Sequence, residues 1–191
     1  SMLQTTSAKY PLRRVQLTSM HITENRRSTP LNSLFSGTLP RRIVVCMTAA
    51  DAFRGSFKSN PFIFDHFGIS EIKIVSGTTT VPATPFKFNF DNGNLVRGYL
   101  QMFDALNMSG FDIGNMIILA QYMNGCTYFV FDLSSDGNDT SSWELIREGT
   151  TSLEIQFGKD LPAGGVQCII YAEFDSLMMI DFNRATYMDY T

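Results

Sequence analysis

Residues 153 to 181 read LEIQFGKDLPAGGVQCIIYAEFDSLMMID, two apolar runs on either side of a turn-rich break. Leu153, Ile155 and Phe157 alternate with Glu154 and Gln156, the period of two that suits a half-buried strand. Lys159 to Gly165 contains Pro162 and two consecutive glycines and has no apolar period, so it reads as a turn. Val166 to Phe174 is almost unbroken in β-branched, aromatic and small apolar residues, as in a strand covered on both faces. The stretch predicts an antiparallel hairpin at the heart of a β-sandwich. It contains no catalytic constellation.

The rest of the chain is read around that hairpin. Leu12 to Ile22 is strand-like, with Val15, Leu17, Met20 and Ile22 expected inward. Thr23 to Gly37 is polar and reads as a loop, followed by a strand over Leu39 to Met47. Ile69 to Val75 alternates cleanly, Ser76 to Pro85 reads as a Thr/Pro/Gly loop, and Phe86, Phe88 and Phe90 alternate as a further strand. Leu95, Tyr99, Met102, Phe103 and Leu106 recur at helical spacing and predict a helix over 95–107. Met108 to Asn124 suits a short strand or a helical turn. Thr127 to Leu133 is strand-like, Ser134 to Ser142 is an acidic tip, and Trp143 to Ile146 is a short apolar run. The expected class is all-β, an eight-stranded jelly-roll β-sandwich with one inserted helix. Residues 1–9 read as a flexible lead-in that begins with an expression remnant, Ser1-Met2, and 10–191 as a single jelly-roll domain.

Composition narrows the function more by exclusion than by indication. Charged residues make up 17% of 191 and hydrophobic residues 44%, a globular balance. The net charge is −3, so no global basic field is present to hold nucleic acid. No segment suits a membrane span or a secretory signal. The two histidines, His21 and His66, cannot supply a metal site of the cupin kind, and His66 sits among rings in Phe64-Asp65-His66-Phe67. Asp132, Asp175 and Asp181 end apolar runs and read as turn residues, and Cys46, Cys126 and Cys168 read as reduced thiols. No nucleotide-binding loop, nucleophile elbow or zinc motif occurs. The expectation is therefore no catalytic residue, no metal, no cofactor and no enzyme activity.

Phenylalanine stands out, with 16 residues against one Trp. Five of the phenylalanines (Phe53, Phe57, Phe62, Phe64 and Phe67) fall in the irregular stretch 49–67. Leaving such rings in water forfeits ~25 cal/mol for each Å², so this stretch should be a packed crossover or a subunit interface. These five, with Tyr187 and Tyr190 in the tail, are the candidate interface residues. A ligand- or carbohydrate-binding jelly roll without catalysis is the alternative, with Trp143 as its one tryptophan.

Several segments, taken in order, resemble one family. They are Gly37-Thr38-Leu39-Pro40-Arg41-Arg42-Ile43-Val44-Val45, Asp51-Ala52-Phe53-Arg54-Gly55-Ser56, Asn60-Pro61-Phe62-Ile63-Phe64, Tyr128 to Leu133, and Tyr171-Ala172-Glu173-Phe174 running on to Ile180-Asp181-Phe182-Asn183-Arg184. This set is similar to the C-terminal jelly-roll part of the double jelly-roll major capsid protein of Maverick/Polinton-type elements and adintoviruses, or to a host-genome relative of it. The resemblance implies a structural protein of a virion. It implies self-association, as a trimer in a full capsid protein, and contact with other capsid proteins. It implies no direct nucleic-acid site, no membrane, and a location in the virion or inside the host cell without secretion by a signal of its own. The strand count suits one jelly roll, so the chain is expected to be the C-terminal half of such a protein or a domesticated copy of that half.

Overall fold

The computed structural model describes residues 6–134 and 146–188. Among them the order is β1 (Ala8–Ile22), β2 (Ser28–Thr38), β3 (Arg42–Ala49), α1 (Ala50–Phe53), β4 (Ile69–Ser76), β5 (Thr79–Lys87), α2 (Val96–Ala105), α3 (Leu119–Met123), β6 (Phe129–Asp132), β7 (Glu148–Phe157), β8 (Val166–Ile180) and β9 (Thr186–Met188). The strands form two antiparallel sheets. The first runs β1-β8-β3-β6, with β9 added to the end of β8, and the second runs β2-β7-β4-β5.

This order has a simple origin. The pairs β1–β8, β2–β7, β3–β6 and β4–β5 are those of one long hairpin folded at its middle. Successive pairs fall alternately in the first and second sheets, and rolling the hairpin up adds the contacts β3–β8 and β4–β7. The result is the all-β jelly roll expected from the sequence. Even-numbered residues of β8, Val166 to Phe174, point inward and face Leu153, Ile155 and Phe157 of β7 and Ile72 and Ile74 of β4 in one apolar core.

One expectation fails here. The runs 153–157 and 166–174 do not pair with each other. β7 lies inside the second sheet and β8 inside the first, and residues 158–165 carry the chain from one sheet to the other. Leu161, buried within this link, ties it to the core. Turn residues between two strands allow a hairpin or a crossing between layers, and local sequence does not distinguish the two.

The phase of β1 is also corrected. Its ladder to β8 is continuous from Ala8↔Ile180 to Ile22↔Val166, so strict alternation holds throughout. Ile22 is buried as expected, and Val15 and Leu17, which lie on the other parity, are 50% and 64% exposed. Arg14 takes an inward position, with its guanidinium 5.2 Å from the centre of the Phe174 ring.

The loops expected at 23–37 and 76–85 contain strands β2 and β5. Phe86 lies within β5, one residue before its end, while Phe88 and Phe90 lie past it, and all three are buried. Phe86 meets Phe131 at 5.7 Å and Phe88 meets Phe129 at 5.2 Å. The expected inserted helix is α2, which packs on β6 through Met102, Ala105 and Gly98. An edge strand left open is a template for stray pairing, and α2 covers this one.

Candidate assembly surface

Four connecting segments gather at one end of the sandwich, the loop end. They are 23–27, 50–68, 88–128 and 158–165. Segment 158–165 is the hub. Its Asp160 meets Arg27 at 2.8 Å, its Lys159 meets Asp91 at 2.8 Å, and its Gly164 N–H donates to Glu24 Oε2 at 2.9 Å. The Gly165 carbonyl accepts the Ala50 N–H, and the Gly158 N–H donates to the Gly68 carbonyl at 2.8 Å. Segments 50–68 and 88–128 join directly where the Phe64 N–H donates to the Gly125 carbonyl at 2.9 Å.

Both long segments hold their backbones by local polar contacts while turning apolar side chains outward. In 50–68 the Ser59 hydroxyl donates to Asp51 Oδ2, Ser56 Oγ accepts the Lys58 N–H and Asn60 Oδ1 accepts the Phe62 N–H. These are the short side-chain turns that Ser, Asn and Asp favour. Phe57 is then fully exposed and Phe62 is 77% exposed. In 88–128 the Tyr99 hydroxyl donates to the Ile117 carbonyl at 2.8 Å and Asn115 Oδ1 accepts the Ile117 N–H at 3.0 Å. Phe111 and Met116 are each 94% exposed, and Ile113 and Ile118 are exposed beside them. Burying one such side chain against a partner is worth about 1.5–3 kcal/mol.

The candidate residues divide. Phe53, Phe57 and Phe62 face outward at the loop end. Phe64 is half-buried, 5.4 Å from the Tyr128 ring, and Phe67 is half-buried against the core. Tyr187 is exposed but lies on β9, at the far end of β8, so it does not join the phenylalanines. Tyr190 and Trp143 lie outside the described residues. Phe111, Ile113, Met116 and Ile118 were not singled out from sequence. Their signal was apolar residues interleaved with Gly110, Gly114 and Asn115, a pattern in which turn residues hold the chain and leave no face to bury them.

Burial pushes the Cys46 thiol up to about 12 and raises Cys168 as well, so both stay protonated at neutral pH. Among the described residues no cluster of His, Cys, Asp and Glu is placed to hold a metal ion, and no helix is long and apolar enough to cross a membrane.

With this geometry in hand, known proteins offer a comparison. No protein-family profile matches the chain. An uncharacterized protein of Caenorhabditis elegans is 32% identical over 183 residues, which cover 95% of this chain and 44% of that protein. The chain thus spans less than half the length of this relative. Among solved structures, a chain of the Sputnik virophage superposes with a TM-score of 0.54 at 12% identity, covering 96% of this chain and 39% of that one. PBCV-1 VP54, fitted into a reconstruction of the same virophage, gives 0.58 at 9% identity over 98% of this chain and 52% of VP54. A chain of the PBCV-1 virus capsid gives 0.54 at 9% identity, over 97% and 52%. The fold is that of a viral capsid jelly roll. It spans 39% to 52% of each of those longer chains.

Proposed function

We propose that this chain is a non-catalytic capsid-type structural domain that associates through the apolar side chains of its loop end. On this reading it corresponds to the C-terminal jelly roll of a double jelly-roll capsid protein of the Maverick/Polinton and adintovirus kind, or to a domesticated copy. It acts in a virion or inside a host cell, with copies of itself, as trimers in a full capsid protein, and with other capsid proteins as partners. The observation that carries the reading is the match to viral capsid chains along nearly the whole length of this one. Fold alone does not assign function, and the exposed rings supply the second support. Exposed apolar side chains grouped at one end of a molecule suit a contact surface. Interface cores are rich in aromatic residues and Met.

The test is solution mass by light scattering over a concentration series, for the native chain and for Phe57→Ser with Phe62→Ser. The expected result is concentration-dependent trimers or larger closed particles, reduced to monomer in the double variant with its unfolding midpoint unchanged. A native chain that stays monomeric at every concentration overturns self-association by this domain. A double variant that unfolds shows instead that the rings serve the fold.

A further inference from the structure

Three of the loop-end segments meet at one imidazole. His66, in 50–68, stacks flat on Phe90 of 88–128, with ring centres 3.9 Å apart and planes 5° from parallel. Its Nδ1 accepts the Gly68 backbone N–H at 2.9 Å. That bond adds to the backbone bond from the Ile69 N–H to the His66 carbonyl at 2.9 Å, in a turn whose central residues Phe67 and Gly68 are both left-handed, at φ 46° and 69°. A non-glycine residue in that region needs its surroundings to hold it there. Gly68 in turn supports 158–165. Its carbonyl accepts the Gly158 N–H, and a Cβ built on it would lie 3.2 Å from Cβ of Lys159. A water-accessible cavity of about 190 Å³ lies beside the ring, lined among others by Ser70, Asn89, Asp91 and Lys159.

We propose that His66 is an acid-sensitive latch, whose unprotonated Nδ1 fastens the Phe67–Gly68 turn and holds three loop segments together. A solvent proton that binds Nδ1 takes up the lone pair that accepted the Gly68 N–H, so two N–H groups then face each other. The turn keeps its backbone bond from Ile69 to His66 but loses the tie at the Gly68 N–H, and the contacts of Gly68 with 158–165 loosen. Stacking on Phe90 tolerates the cation, so the hydrogen bond is the part that responds.

The charges facing the ring come from all three segments. Asp65 Oδ1 is 3.6 Å from Nε2 and, with Asp91, favours the imidazolium, while Lys159 opposes it and is itself tied to Asp91. Burial is the largest influence, and it holds His66 below the ordinary 6.5. A depressed histidine favours the neutral, latched form. The latch is therefore fully closed above the free-imidazole value and opens as pH falls through the lower value in the folded chain.

This inference rests on loop geometry and not on the assembly reading, and it is tested within one molecule. Amide hydrogen exchange at Gly68 and Gly158, corrected for intrinsic rates, would be followed from about pH 7.5 to about pH 5 beside the His66 ring resonances. Protection at both amides should fall, by up to tenfold per pH unit, between the free-imidazole value and the lower His66 midpoint, and level off below that midpoint. His66→Asn keeps an acceptor for the N–H two residues on but does not titrate, so its protection should be flat with pH. His21→Asn, at an exposed site, should behave as the native chain. Unchanged protection through the His66 titration overturns the latch, and so does an acid response that survives in His66→Asn. The native chain alone decides the matter if that variant fails to fold.

Discussion

The two ends of the sandwich invert the usual placement of charge and apolar surface. At the end opposite the loop end the connections 39–41 and 77–78 are short, and charge is hidden. Arg42 on β3 meets Glu173 of β8 at 3.1 Å, and Arg41 meets Asp175 at 3.4 Å, all four with side chains less than a fifth exposed. Leu39 fills the space over Gly149, where an added Cβ would lie 3.1 Å from its Cδ2. At the loop end the ion pairs stand in solvent, with Arg27 and Asp160 66% and 55% exposed, and rings point outward. The difference separates an end where described ion pairs are buried from an end where ion pairs and phenylalanine rings stand in solvent.

The largest test of that contrast removes a charge at each end. Arg42→Ala leaves Glu173 in a mostly buried site without its cation, and a broken buried pair costs about 3–5 kcal/mol. Arg27→Ala breaks a solvent-exposed pair and should leave the unfolding midpoint unchanged. Urea denaturation of the two variants measures both. Equal losses would mean that the ends do not differ in how their charges are used.

A smaller effect is expected between the ends, where α2 closes the side of the roll. A Cβ on Gly98 would sit 2.5 Å and 2.7 Å from Cε1 and Cζ of Phe88. That ring is buried between the helix and Phe129 and has little room to swing. Gly98→Ala should therefore cost about 1–3 kcal/mol by overpacking, read in the same denaturation series. A neutral or stabilising result, as helix propensity alone would give, would mean that α2 sits loosely and does not seal the β5–β6 opening.

These packing details show what was legible in sequence. The interior strands β3, β4, β7 and β8 announced themselves by apolar alternation or apolar runs, and α2 by its spacing. The two strands read as loops, β2 and β5, are both edges of the second sheet. Edges tolerate what interior strands do not. β2 bulges between Leu31 and Phe35, with Ser33 left-handed, and β5 carries Pro82 and Pro85. The phase of β1 was misread because Arg14 occupies an inward position, made tolerable by its contact with Phe174, its cross-strand partner on β8. Such a contact depends on tertiary structure. At the loop end, the aromatic content of 49–67 was visible, but its division into outward Phe57 and Phe62 and half-buried Phe64 and Phe67 follows from Asn60 and His66 turning the backbone. The second apolar cluster, around Phe111, lacked any periodicity to reveal it.

The smallest effect sharpens the loop end itself. Lys159 pairs with Asp91 in full solvent, so Lys159→Ala should not move the unfolding midpoint. It should still move His66. Lys159 is a positive neighbour that disfavours the imidazolium, and it also neutralises Asp91, which favours it. Removing the ammonium relieves the first and unmasks the second, and both changes raise the His66 pKa toward or past its ordinary value. The latch would then open at a higher pH, visible as an upward shift in the His66 ring titration with the Gly68 amide following it. A ring titration that shifts while Gly68 protection stays where it was would separate the electrostatics of the cavity from the turn. A shift downward would mean that the Lys159 stem, lying over Gly68, matters more through burial of the ring than through its charge.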